Sequence, residues 1–307
     1  MQRPALLGGR DRYERVMHGW VDNTHDDAFT HTVRLTDDDR ALEVAVVALP
    51  SPTYAIRDAR LTALAGHIAP AVAEGFARLT GAALVGGLTR RIAELVGGGD
   101  GAALAMDATI EVARLARQVA RMPRAEAERA TAGDALACWT LDTTGWVDLP
   151  NSCFTYSEAG RQLFGTRTVA TPMVPDLYSP LPGQRKVFER RKVARLEVAG
   201  RRLRLFHSMH DNVHGFEITY EIDLDSSRVV RAEHLTPRLP YMGICSEPQR
   251  KITTLLGETV DPGLRKRIQA TLGGESGCAQ LYDLTADLLK LLGEPSRDAI
   301  VHSKEEA

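Results

Sequence analysis

LRKRIQATLGGESGCAQLYDLT, residues 264–285, lies without a gap on LTRRIAELVGGGDGAALAMDAT, residues 88–109. Leu, Arg, Ile, three glycines, Ala, Asp and Thr fall at matching places. In each copy a Gly-Gly step ends one helix pattern and a second follows, because glycine adopts the left-handed conformations that terminate helices. Further matches lie upstream. HGWVDNTH (18–25) and HSMHDNVH (207–214) both spell H-x-x-x-D-N-x-H, 189 positions apart. In that register Arg15 meets Arg204, Val33 meets Ile222 and Leu35 meets Leu224, and Tyr54 of SPTYAIRD then faces Tyr241 of LPYMGICS. Three matching blocks in the same order predict an internal duplication.

Around these blocks the periodicity predicts an α+β chain. Residues 202–223 alternate apolar and polar with Val, Ile, Tyr and Phe frequent, which predicts two strands; 229–235 predicts a third. Ser246-Glu-Pro-Gln249 reads as a capping box opening a helix. Asp261-Pro-Gly opens another that Gly273-Gly274 ends, and a third spans about Ser276 to Leu292 with a leucine stripe. The N-terminal copy predicts Ala-rich helices over 57–80, 86–96 and 101–122. The expected fold is two pseudo-symmetric repeats, each antiparallel strands followed by about three helices. The expected boundaries are a divergent N-terminal repeat at 1–122, a connector at 123–190 and a C-terminal repeat at 191–307. The connector holds Trp139, Trp146, Phe154, Tyr156, Phe164 and Tyr178 plus the Pro-rich TPMVPDLYSPLPG. Those aromatics read either as glue for a long connection or as a lid over a pocket.

The 307 residues are 44% hydrophobic with a formal net charge of −2, which gives no electrostatic footprint for nucleic acid. Cys138, Cys153, Cys245 and Cys278 form no C-x-x-C pair, which argues against a zinc ribbon. The first residues lack the apolar core of a signal peptide, and no run approaches the roughly 20 apolar residues that span a bilayer. The expectation is a cytoplasmic protein with reduced thiols.

Four features together, D-N-x-H (211–214), FEITYEIDLD (216–225), PYMGIC (240–245) and G-C-A-Q-L (277–281), resemble the bacterial domain-of-unknown-function 2889 family. The resemblance covers about 185–292 well and 12–120 weakly. The family commonly has His where this chain has Gln280; the N-terminal copy has Ala102 and Leu104 in place of the Cys and His. The resemblance implies a bacterial protein of that fold and no assigned activity. It also points toward bacteria that degrade aromatic compounds.

In an extended strand His207 and Asp211 share one face, with their ends about 13 Å apart, while His210, Asn212 and His214 share the other. His18 and Asp22 repeat the first arrangement. Three readings stay open for the motif: a hairpin turn capped by Asp-Asn, metal-free acid–base catalysis, or a metal site. Strand alternation separates the histidines and disfavours the metal. Cys278 reads as a small core residue or as a nucleophile in a helical first turn.

No nicotinamide, flavin, pyridoxal or nucleotide signature is present, so no organic cofactor and no metal are expected. The resulting expectation is a cofactor-independent carbon–carbon or carbon–oxygen lyase of aromatic catabolism. It would release formaldehyde from a phenolic lignin-derived dimer. The candidate catalytic residues are His207, Asp211, Tyr241, His18 and Asp22; Arg15, Arg204, Tyr54, His214, Trp146 and Tyr178 are candidate substrate contacts. A small aromatic molecule is the expected partner, with no nucleic acid and no membrane, and a homodimer is left open. The alternative is a non-catalytic small-molecule binding or assembly protein.

Overall fold

A computed structural model of the chain describes residues 1–144 and 149–294. Four strands come first: β1 (Arg12–Asp22), β2 (Phe29–Asp37), β3 (Ala41–Ala48) and β4 (Ile56–Ala65). Helices α1 (Pro70–Ala77), α2 (Leu88–Val96) and α3 (Ala102–Ala116) follow. Shorter helices come next: α4 (Arg124–Ala132), α5 (Ala135–Asp142), α6 (Glu158–Gln162) and α7 (Pro175–Tyr178). The second set of strands is β5 (Phe188–Ala199), β6 (Arg202–Asp211), β7 (Gly215–Asp223) and β8 (Arg228–Arg238). A 3₁₀ segment at Pro248–Leu255, α8 (Leu264–Leu272) and α9 (Ala279–Leu292) complete the order. The strands form an eight-stranded sheet in the order β4-β3-β2-β1-β5-β6-β7-β8, in which β2–β3, β3–β4, β6–β7 and β7–β8 pair antiparallel.

The chain divides into two compact units. The first comprises Met1–Arg15, Asp148–Pro172 and Lys192–Ala307; the second comprises Val16–Val147 and Met173–Arg191. Residues of the 123–190 connector therefore enter both units.

In the first unit α9 packs on β6, and α8 packs on α9. Leu281, Leu284, Leu288 and Leu291 recur at helical spacing and are buried, so the leucine stripe is the core face of α9. Truncating one such leucine to alanine costs about 2–5 kcal/mol. Gly277 has a backbone reason to be glycine, because a Cβ there would strike the Leu272 carbonyl. In the second unit α3 packs on β2 and β3, and α1 packs on β4 and α2. A Cβ at Gly75 would strike the Leu95 carbonyl, so glycine sets the close approach of α1 and α2.

Two expected elements are corrected. Residues 57–65 are strand, not helix: β4 pairs with β3 through Leu61↔Val44 and Ala59↔Val46. Cross-strand pairing overrides the helix propensity of IRDARLTALA. Ser246 caps nothing; the 3₁₀ segment begins after Glu247 without a side-chain cap. Gln249 turns inward instead, fully buried, and its Nε2 donates to the Cys245 carbonyl at 3.1 Å. The third helix of the N-terminal half also ends earlier than expected, at Ala116.

Candidate active site

The HSMHDNVH stretch closes the β6–β7 hairpin. His210 pairs with Gly215, so Asp211 to His214 form the loop. The Asp211 amide donates to the His214 carbonyl at 2.9 Å. Asp211 Oδ1 accepts from the amides of Val213 at 2.7 Å and His214 at 2.6 Å, the local bonding for which Asp is favoured in turns. Because the chain reverses here, strand alternation no longer separates the side chains. His214 Nδ1 lies 3.1 Å from both carboxylate oxygens of Asp211. The Asp211 side chain is 0% exposed and that of His214 is 10% exposed. Among the described residues no group bonds His214 Nε2, and the ring tilts against Phe216 with 6.2 Å between centroids. A carboxylate holding Nδ1–H while Nε2 keeps its lone pair is the arrangement that fixes a histidine as a base.

His207 has its own contact on α9. It is buried on β6, and its Nδ1 lies 2.9 Å from the Leu284 carbonyl of α9. His214, which sequence reasoning ranked only as a substrate contact, is the histidine that lies against the Asp211 carboxylate. His210, on the opposite face of β6, approaches Glu217 at 3.4 Å.

The remaining candidates of the first unit have separate surroundings. Tyr241 is buried, with Tyr156 and Phe164 packed edge-on at 6.1 and 5.9 Å between centroids. Arg15 is buried and donates to Glu294 at 2.8 Å and to the Tyr13 hydroxyl at 2.9 Å. Those bonds commit its guanidinium to the protein rather than to a substrate. Arg204 is exposed, 3.9 Å from Glu197.

In the second unit His18 is half-buried and meets Glu189, with Nε2 2.5 Å from Oε1. Asp22 accepts from the Lys186 amide at 2.7 Å instead of orienting His18. Asn23 is buried and donates to the carbonyls of Pro180 and Leu181. His25 is exposed, 3.1 Å from the Thr30 hydroxyl. Tyr54 is buried under the Arg117 guanidinium, 6.0 Å from its ring centroid. Tyr178 is fully buried and donates to Asp142 at 2.7 Å, a core role beside Ala127, Ala130 and Leu141. Trp146 lies outside the described residues.

Sequence reasoning scattered the cysteines, yet three of them gather in the first unit. The Phe154 amide donates to the Gly277 carbonyl at 2.9 Å, which brings the loop of Cys153 beside Cys278. Thr155 Oγ1 lies 2.9 Å from Cys245 Sγ, and the Gln249 amide reaches the Cys278 thiol. The signal was absent from spacing because three separate loops supply the groups. Burial pushes Cys153 up to about 11 and raises Cys245 and Cys278 as well. The thiolate is the reactive form, so desolvation disfavours reaction; Cys245 is buried, while Cys153 and Cys278 are half-buried. Cys278 sits at the N-cap of α9, where its sulfur accepts from the Leu281 amide at 3.5 Å, a bond that works against the effect of burial. Among the described residues no three His, Cys, Asp or Glu side chains are placed to hold a metal ion. A groove of about 560 Å³ is lined by Phe154, Ser157, Gln269, Gly273, Gly274 and Ser276, and none of the expected site residues faces it.

With the dyad and the thiols placed, the family comparison falls on the same ground. Residues 195–292 match the family described as Protein of unknown function (DUF2889). The matched segment runs from β5 to α9 and contains Asp211, His214, Cys245 and Cys278. It is a single copy; the N-terminal half is not matched to DUF2889. No curated protein and no solved structure matches the chain.

Proposed function

We propose that this protein is a cofactor-independent acid–base lyase of aromatic catabolism in which His214 is the base and Asp211 orients it. One observation carries the reading: a fully buried carboxylate holds His214 Nδ1, and among the described residues no group bonds Nε2. Such a base suits the cleavage of a phenolic dimer that bears a terminal hydroxymethyl group. A benzylic hydroxyl on the same substrate leaves as water as the phenolic O–H proton is lost, which turns the phenol ring into its quinone methide; Nε2 then takes the hydroxymethyl O–H proton. The carbon–carbon bond to that group breaks, its electron pair forms the new double bond, and the ring regains aromaticity with its oxygen taking up a proton. The severed carbon leaves as formaldehyde. No oxidant or reductant enters.

The two halves read as copies of one unit of four strands and three helical segments. Burial supports a spacing of 176 between them, not 189. Phe29, His31, Val33 and Leu35 on β2 then correspond to Leu205, His207, Met209 and Asp211 on β6, all buried. The same spacing aligns α2 with α8 and Thr109 with Thr285, which bond back to the carbonyls of Ala105 and Leu281 at 2.7 and 2.8 Å. His18 then has no kinship with His207. Leu35 stands where Asp211 does, so only the C-terminal copy carries the dyad. A bacterial, cytoplasmic setting fits the four free thiols and the Ala/Arg-rich composition. No helix among the described residues is long and apolar enough to cross a membrane.

A non-catalytic binding or assembly role is the second reading. Its support is that Asp211 already caps the hairpin through two amides, a task that needs no substrate. A formaldehyde assay with a phenolic, hydroxymethyl-bearing diaryl dimer separates the two. The lyase reading expects release by the wild type and a loss of about 10²- to 10⁴-fold in His214→Gln at unchanged melting temperature. No release by the wild type, or full release by His214→Gln, overturns it.

A further inference from the structure

A second histidine–carboxylate pair stands in the other unit, in different company. His18 and Trp20 project from the same face of β1, with ring centroids 5.1 Å apart and planes at 44°. Glu189 of β5 holds His18 Nε2 at 2.5 Å and accepts from Lys186 Nζ at 2.9 Å. The Lys186 ammonium also sits over the Trp20 ring, 5.8 Å from its centroid. Lys186 has a φ of 49°, a left-handed conformation that residues other than glycine rarely adopt; its amide is fixed by Asp22 at 2.7 Å. The backbone is thus held in an uncommon state that keeps the ammonium between an indole and a carboxylate. His18, Glu189 and Lys186 are all part-exposed, so a small molecule reaches them from solvent.

We infer that Trp20, His18 and Lys186 form a recognition site for a phenol, distinct from the Asp211–His214 pair. Each group has a task set by its geometry. Glu189 takes the Nε2–H of His18, so Nδ1 offers a lone pair, and among the described residues nothing bonds it. A phenolic O–H donates to that nitrogen. The phenol ring stacks on the indole in the place of the ammonium, exchanging a cation–π contact for an offset aromatic one. Lys186 stays tethered through Glu189, close to the phenol oxygen, where it favours negative charge as the proton shifts toward His18. An aliphatic alcohol lacks the ring and a phenyl ether lacks the proton, so the site selects for both features at once. Glu189 and Asp22 place two carboxylates beside the site, which favours a neutral phenol over an aromatic carboxylate.

The test uses the full chain and three probes, phenol, anisole and cyclohexanol. The indole N–H resonance of Trp20 is followed by ¹H–¹⁵N NMR and assigned with Trp20→Phe. Phenol is expected to shift it saturably, anisole to bind about tenfold more weakly for want of the donated hydrogen bond, and cyclohexanol to leave it unmoved. In His18→Phe, phenol affinity falls to that of anisole while anisole is unaffected. His214→Gln binds phenol as the wild type does, so failure of the lyase reading and failure of this site are told apart. Equal binding of phenol and anisole, no shift at Trp20 up to the solubility of phenol, or unchanged phenol affinity in His18→Phe overturns the inference.

Discussion

Lowering the pH from 7 to 5 should destabilise the protein through one residue, His31. It lies on β2 at 1% exposure, and among the described residues neither ring nitrogen has a partner within hydrogen-bond geometry. Phe29 meets it edge-on at 6.3 Å. Burial holds the imidazole well below its ordinary 6.5, down to about 4, and the Val46 main chain opposes this only weakly. The unfolded chain therefore binds a proton between those values while the folded chain does not. Stability is whole above about pH 6.5, falls as the pH drops below it, and stops falling through this group near pH 4. At pH 5 the unfolded state has gained about 1.5 pH units of protonation, which is about 2 kcal/mol. Urea unfolding at pH 7 and pH 5, on wild type and His31→Leu, isolates the contribution. The variant should equal or exceed the wild type at pH 7, because an unpartnered polar group is replaced by an apolar one. It should lose about 2 kcal/mol less than wild type on going to pH 5. Parallel pH dependence of the two proteins would refute the claim that His31 is buried neutral.

Two further outcomes follow from the same packing. Cys138, Cys153, Cys245 and Cys278 should react slowly with a thiol reagent at pH 7 in the folded state and rapidly in urea, because burial raises all four; rapid native labelling of Cys278 would revive the nucleophile reading. His207→Gln should lower stability by about 1–3 kcal/mol through loss of its bond to the Leu284 carbonyl, while formaldehyde release per folded molecule stays near wild type.

The helical parts of the fold were readable because their signals are local. Gly273 ends α8, and the leucines of α9 repeat at three and four residues, so composition and spacing suffice. Residues 57–65 misled because β4 is an edge strand, more than half of it exposed, and its alanines and arginines carry no alternation. The repeated H-x-x-x-D-N-x-H was real as spelling but joined the first strand of one half to the second strand of the other. The block 88–109 against 264–285 already has a spacing of 176 in the sequence, and His31 on β2 and His207 on β6, also 176 apart, are both buried. The dyad was hidden for a related reason: strand alternation put Asp211 and His214 on opposite faces, and the turn they create brings them together. The thiol cluster depends on contacts between segments about 90 residues or more from Cys153, which no local pattern encodes.

The tautomer of His214 decides whether Asp211 makes it a base. Imidazole ¹⁵N NMR of the wild-type chain, with His214→Gln for assignment, reports which ring nitrogen carries the proton when the ring is neutral. The expected result is a proton on Nδ1 facing Asp211 and a bare Nε2, with that preference lost in Asp211→Asn. A wild-type His214 protonated on Nε2, or a tautomer indifferent to Asp211→Asn, would contradict it.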